Sequence, residues 1–157
     1  MNDRALYIQR ITRHLRILFR TIQAHAKQVE ATCGLSGAKL WMLYEINSNP
    51  GLKVSELATA LTIHPSTCSN MLDKLEEQGL ISRSRSGRDQ RTVQLFLTDQ
   101  GKALLGQAPQ PAQGELNRAL QTLPDQRLQD LEAELHTLIQ AINGTNEDAA
   151  LMPLPGD

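Results

Sequence analysis

Apolar residues recur along this chain with two different periods, and the places where the period changes mark out its elements. Ile8, Ile11, Leu15, Leu18, Ile22, Ala26, Val29 and Cys33 follow one another at spacings of three and four, which puts them on one stripe of a long helix. Gly34 terminates it, since glycine takes the left-handed conformation found just past a helix end without steric cost. A second helix is predicted from about Ser36 to Asn47, with Leu40, Leu43 and Tyr44 inward, closed by the turn signal Asn49-Pro50-Gly51. A short third helix covers Ser55 to Leu61, with Ser55 as its N-cap and Leu57, Ala58 and Leu61 inward. After the tight connection Thr62-Ile63-His64, Pro65 opens a fourth helix, because its missing N–H would have no partner in a first turn. That helix runs to about Gln78 and stops at Gly79.

The period then drops to two. Val93, Leu95 and Leu97 alternate with Thr92, Gln94 and Phe96, the pattern of a half-buried strand. Leu80 to Ser84 is its partner, and Arg85 to Gln90 forms the loop between them. A fifth helix starts after Thr98 and meets Gly106, Pro109, Pro111 and Gly114, which break or bend it. A sixth carries Leu128, Leu131, Leu135, Leu138 and Ile142, a stripe of little more than two heptads that needs a partner surface to be stable. The tail over residues 143–157, with Gly144, Pro153, Pro155 and Gly156, is expected to be disordered. The expected fold class is mainly α with a small β-hairpin wing. A helix-turn-helix core with this wing is expected over about residues 36–98, flanked by N- and C-terminal helices over about 5–33 and 115–142, in one domain of residues 1–142.

At 157 residues the chain is large enough for one real core and short for a separate catalytic domain. No apolar run approaches the roughly 18 residues of a membrane span, and the N-terminus lacks the apolar block of a signal peptide. Cys33 and Cys68 are too few for a disulfide framework and lack metal-finger spacing, so reduced thiols and a cytoplasmic location are expected. A formal net charge of -1 sits badly with a nucleic-acid partner until its distribution is considered. Residues 80–97 carry Arg83, Arg85, Arg88 and Arg91 against Asp89, and the first 29 residues carry six basic side chains against Asp3. Acidic charge gathers elsewhere, notably over residues 125–134.

Phased at about 100° per residue, the fourth helix places Cys68, Met71, Leu72, Leu75 and Gly79 on one side. Ser66, Asn70, Asp73 and Glu77 lie opposite, flanked by Thr67, Ser69 and Lys74. Small hydrogen-bonding side chains near the helix start suit a helix whose first turns enter the roughly 12 Å wide major groove. Ser66, Thr67, Ser69, Asn70 and Lys74 are therefore candidate DNA contacts, joined by Arg83, Arg85, Arg88 and Arg91 of the hairpin, aimed at phosphates or a narrow minor groove. Asp89, two residues before Arg91, is a candidate brace for the wing through a charge-assisted hydrogen bond. A plain amphipathic helix with solvated serines has the same pattern; the arginine hairpin directly after it favours DNA.

Ser55-Glu56-Leu57-Ala58 with Pro65-Ser66-Thr67 ten residues on, the run Leu75 to Ile81, Asp89-Gln90-Arg91, and Leu97-Thr98-Asp99-Gln100-Gly101 together resemble the MarR family of winged helix-turn-helix transcriptional regulators. The resemblance covers about residues 5–142, and Asp89-x-Arg91 matches that family's wing signature. It implies a two-fold homodimer joined by the first, fifth and sixth helices, wings in adjacent minor grooves, and repression controlled by a ligand or by oxidation. The prolines and glycines from 106 to 114 depart from the family's long fifth helix. The stripes of the first and sixth helices argue independently for a second copy, because the small winged core is too short to cover them. Two-fold symmetry sets the recognition helices about 34 Å apart over an inverted repeat.

The family's effectors bind in the crevice between the dimerisation helices and the winged core, which makes His14, Trp41 and Tyr44 candidate pocket residues for a small phenolic or other anionic ligand. Cys33 and Cys68 are the candidates for oxidation sensing, although each continues a buried stripe, where a thiol reacts poorly. His14 and His25 stand about 16 Å apart along one helix face and cannot share an ion, so neither a metal nor a cofactor is expected. The chain lacks a nucleophile elbow and a phosphate-cradling glycine loop, so it is not expected to be an enzyme. The expected function is that of a sequence-specific DNA-binding regulator, a homodimeric repressor of an inverted-repeat operator released by a small aromatic or anionic ligand. The alternatives are an oxidation-sensing repressor and a sequence-indifferent winged-helix DNA binder or protein-interaction module. Double-stranded DNA and a second copy are the expected partners; a membrane is not.

Overall fold

A computed structural model describes residues 2–86, 89–142 and 147–154, with backbone alone at 86, 89 and 90. In chain order the elements are α1 (Asp3–Cys33), α2 (Gly37–Ser48), β1 (Leu52–Lys53), α3 (Val54–Leu61), α4 (Pro65–Glu77), β2 (Ile81–Ser86) and β3 (Asp89–Leu97). They continue with α5 (Asp99–Gln107), α6 (Glu115–Thr122), α7 (Asp125–Ala141) and α8 (Glu147–Ala150). The architecture is mainly helical around a three-stranded antiparallel sheet of order β1-β3-β2.

The long first helix forms as its stripe predicts. The Asn2 side chain accepts a hydrogen bond from the Arg4 N–H at its start, and Gly34, at φ 68°, donates its N–H to Glu30 C=O at its end. Only Ala26 and Val29 along it are buried. Tyr7, Ile8, Ile11, Leu15, Ile17, Leu18 and Phe19 stay exposed, so one copy of the chain leaves most of the stripe uncovered.

α2 is the core helix, packed by α1, α3, α5 and β3. Leu40, Met42, Leu43 and Ile46 are fully buried, whereas Tyr44, expected inward, is half-buried. A helix surrounded on several sides has no outward face, so a single inward stripe is the wrong template for it. Leu57, Leu72, Leu75 and Leu95 complete the core from α3, α4 and β3.

The start of α3 differs from expectation. Ser55 lies inside the first turn, and Lys53 is the N-cap residue, its N–H donating to the Glu56 carboxylate at 3.1 Å. The cause is β1, a two-residue strand too short to show alternation. It pairs with β3 through Leu52↔Leu95 and Lys53↔Gln94 and delivers the chain straight into Val54. The wing is also longer than expected, since β2 reaches Ser86 and β3 starts at Asp89, both inside the span assigned to a loop.

The break after α5 is present, and residues 108–114 are non-helical. The helix expected over 115–142 is two helices, parted at Leu123-Pro124, because proline offers no N–H and disfavours helical backbone in the residue before it. α8 falls within the tail expected to lack order, of which residues 147–154 are described. α8 and the residues after it turn back on the body, where Leu151 C=O accepts the His64 N–H at 3.0 Å.

The wing is anchored to the body at Thr98. Its hydroxyl donates to Gly79 C=O at 2.6 Å and accepts the Gly101 N–H at 3.0 Å, so one side chain joins the end of α4 to the start of α5. Gly101 has no substitute here, because a Cβ would overlap the Leu80 carbonyl oxygen.

Candidate nucleic-acid interface

The α3–α4 connection sets the pose of the fourth helix. Thr62 adopts φ 54°, an uncommon conformation for a β-branched residue, and Ile63 N–H bonds back to Ala58 C=O at 3.0 Å. Cys68, Leu72 and Leu75 bury the inner face of α4. Ser66, Asn70 and Lys74 are left exposed, with Thr67 and Ser69 half-buried beside them. The five candidate contact residues therefore share the outward side of one helix, as its phasing predicts. Lys39 sits near this edge, and burial together with the neighbouring Lys74 charge holds its ammonium below the ordinary lysine value.

Arg83 departs from expectation. The period of two in β2 puts Ile81, Arg83 and Arg85 on the sheet face that carries Leu97, Leu95 and Val93 across the pair, so Arg83 points inward, toward α4. Its Nη1 lies 2.8 Å from Asp73 Oδ1 and its Nε 3.4 Å from Glu76 Oε2, while Nη2 donates to the Ser69 carbonyl at 3.4 Å. The structure thus gives this arginine three partners within the protein instead of an outward pose. The signal was present in the sequence: Arg83 stands two residues from Ile81, and Asp73 and Glu76 are three apart on α4. Arg85 and Arg91 are exposed on the wing. Arg88 and the side chain of Asp89 lie outside the described residues, and with them the Asp89–Arg91 brace.

The two thiols differ in exposure. Cys68 is fully buried, and burial pushes it up to about 11, with Arg83 pulling weakly the other way. Burial raises the half-buried Cys33 as well.

A narrow, open-sided recess of about 40 Å³ lies between α1, α2 and the start of α6, with Ile22, His25, Trp41, Leu116 and Leu154 in its walls. Of the three candidate pocket residues only Trp41 is among them; its indole N–H donates to Glu45 at 3.1 Å. His14 is exposed elsewhere on α1, and Tyr44 packs against the core. Sequence phasing missed His25, which flanks the α1 stripe three residues after Ile22. Its Nε2 is buried without a hydrogen-bond partner among the described residues.

The outer face of α7 carries a second apolar strip. Leu131, Leu135, Leu138, Ile139 and Ile142 are exposed, and a groove runs along Leu120, Leu128, Leu131 and Leu135. Among the described residues no cluster of three or more His, Cys, Asp or Glu is placed to hold a metal ion, and no helix is long and apolar enough to cross a membrane.

Residues 35–93 match the model of the MarR family. The chain is 36% identical over 87 residues to the HTH-type transcriptional repressor MdtR of Bacillus subtilis (strain 168), a match spanning 55% of this chain and 56% of that protein. It is 33% identical over 95 residues to the organic hydroperoxide resistance transcriptional regulator of the same organism, covering 60% of this chain and 63% of the relative. Among solved structures it is similar to the transcriptional repressor CouR bound to a 23-mer DNA duplex. There the identity is 31%, the TM-score 0.57, and the coverage 80% of this chain and 89% of that one.

Proposed function

We propose, from the premise that the chain belongs to the MarR family, that it is a cytoplasmic, sequence-specific DNA-binding transcriptional regulator, a homodimeric repressor of an inverted-repeat operator. The observation that carries this is the outward side of α4. Ser66, Thr67, Ser69, Asn70 and Lys74 stand together on it, next to a wing bearing Arg85 and Arg91 and clamped to α4 through Arg83. Polar side chains on the first turns of such a helix reach base edges, and the flanking basic groups hold phosphates. The duplex held by the similar CouR structure supports the same partner here.

The uncovered stripes of α1 and α7 supply the surface for a second copy, and two-fold pairing accounts for an inverted-repeat target. The effector in this reading is a small aromatic or anionic molecule that enters at the mouth of the recess beside Trp41 and His25 and widens it on binding. The buried imidazole nitrogen of His25 offers it a hydrogen bond, and the indole offers an apolar wall. Oxidation sensing at Cys68 is disfavoured, since burial pushes that thiol up to about 11 and leaves almost no thiolate at neutral pH.

A mobility-shift assay on the DNA upstream of the chain's own gene tests the reading, run beside a scrambled duplex and repeated with phenolic ligands and with peroxide. Tight binding to the native fragment alone, relieved by a phenolic acid, is expected. Equal binding to both duplexes with a steep salt dependence marks sequence-indifferent phosphate binding instead, and relief by peroxide alone overturns the choice of effector.

A further inference from the structure

The segment of residues 147–154 touches two parts of the molecule at once. Leu151 C=O accepts the N–H of His64, the residue immediately before α4. This bond brings α8 to the first turn of the recognition helix, where Asp148 Oδ1 lies 3.8 Å from His64 Nε2 and Glu147 and Asp148 are both exposed. Three residues past Leu151, Leu154 forms part of the wall of the recess with Ile22, His25 and Trp41. The segment therefore spans from the ligand recess to the end of α4 that a DNA duplex must approach.

We propose that residues 147–154 act as an autoinhibitory strap. When it is seated, the Asp148 carboxylate stands beside the start of α4, with Glu147 next to it in the chain, and this negative charge repels the phosphates that Ser66 and Thr67 would approach. A ligand in the recess packs against Leu154, so it binds the strap-seated molecule better than the strap-free one. That difference in affinity shifts the population toward the form that rejects DNA. The inference rests on the DNA-binding reading above and gives it a route from recess to helix within one chain.

The test uses the full chain with two variants. Glu147→Gln/Asp148→Asn removes the charge and leaves the seat, while Leu154→Asn disturbs the seat. Affinity for the operator fragment is measured from low to moderate salt, together with emission from Trp41, the only tryptophan. The charge variant is expected to bind DNA about five- to tenfold more tightly at low salt, the gain shrinking as salt screens exposed charges. Leu154→Asn is expected to shift Trp41 emission to the red and to tighten DNA binding as well. Unchanged emission in Leu154→Asn means the strap is not seated, and shifted emission with wild-type DNA affinity in both variants means it does not inhibit. Either result overturns the strap and leaves the DNA-binding reading intact. Failure of the parent chain and both variants to bind any duplex overturns that reading, and the strap with it.

Discussion

Replacing Arg83 by alanine separates two roles for that side chain, a contact with DNA and a clamp between wing and recognition helix. The guanidinium meets Asp73 at 2.8 Å, Glu76 at 3.4 Å and the Ser69 carbonyl at 3.4 Å. Two unit charges 4 Å apart attract by about 1 kcal/mol in water and about 4 kcal/mol at the intermediate dielectric of a protein surface. The side chains of Asp73 and Glu76 are 55% and 49% exposed, against 27% for Arg83, so the lower end applies. Exposed pairs measure about 0.2–1 kcal/mol each. With the packing of the aliphatic stem included, Arg83→Ala is expected to lose about 1.5–2.5 kcal/mol of stability. For a chain of this size that lowers Tm by roughly 4–8 °C. Urea denaturation followed by circular dichroism measures the loss. A double-mutant cycle with Asp73→Ala isolates the pair, for which a coupling of about 0.5–1 kcal/mol is expected. The reasoning is refuted if Arg83→Ala costs under about 0.3 kcal/mol while the salt slope of DNA binding falls by about one unit, since that is the signature of a lost phosphate contact.

Gly101→Ala forces a methyl group into the Leu80 carbonyl and is expected to cost about 2–4 kcal/mol, read from the urea midpoint; wild-type stability would contradict the close approach of α5 to the wing root. The Cys68 thiol titrates at about 11 when folded, against 9.0 for a free thiol, so the unfolded chain gives up its proton first. Its contribution, at most about 2–3 kcal/mol, is full below pH 9 and is lost as the pH rises through 11. Urea midpoints at pH 8 to 11 for the parent and for Cys68→Ala test this, and identical pH dependence rules it out. Leu135→Glu places a charge on the uncovered face of α7 and is expected to yield a folded monomer in sedimentation velocity, with unchanged helicity; an undisturbed dimer moves the interface elsewhere.

Strong periodic signals were legible in the sequence. The stripe of α1, the phasing of α4 and the alternation in β3 follow from spacing alone, and the resemblance motifs agree with them. What escaped depended on contacts between elements. β1 is two residues long and exists because β3 offers it an edge. α2 hides its inward face because four neighbours surround it. The break at Leu123-Pro124 was open to reading, since Pro124 is an ordinary helix stop, but the leucine stripe on either side masked it. The phasing of α4 placed Ser66 and Asn70 outside correctly. Arg83 was misplaced because a count of arginines ignores which face of a strand each one occupies. His25 and Leu154 come together only through folding, 129 positions apart along the chain.

The wing is tied down at its root, where β1 lies beside β3 and Thr98 bridges Gly79 and Gly101, and at its side, where Arg83 reaches α4. A hairpin pinned in this way behaves as a ruler, holding β2 and β3 at a set distance from α4. On DNA that distance is a phase as well as a length. Adding one base pair between the groove site and the flanking site moves the second by about 3.4 Å and turns it by about a tenth of a helical turn. If the proposed DNA-binding function holds, a half-site for this chain is expected to tolerate an insertion no better than a wrong base.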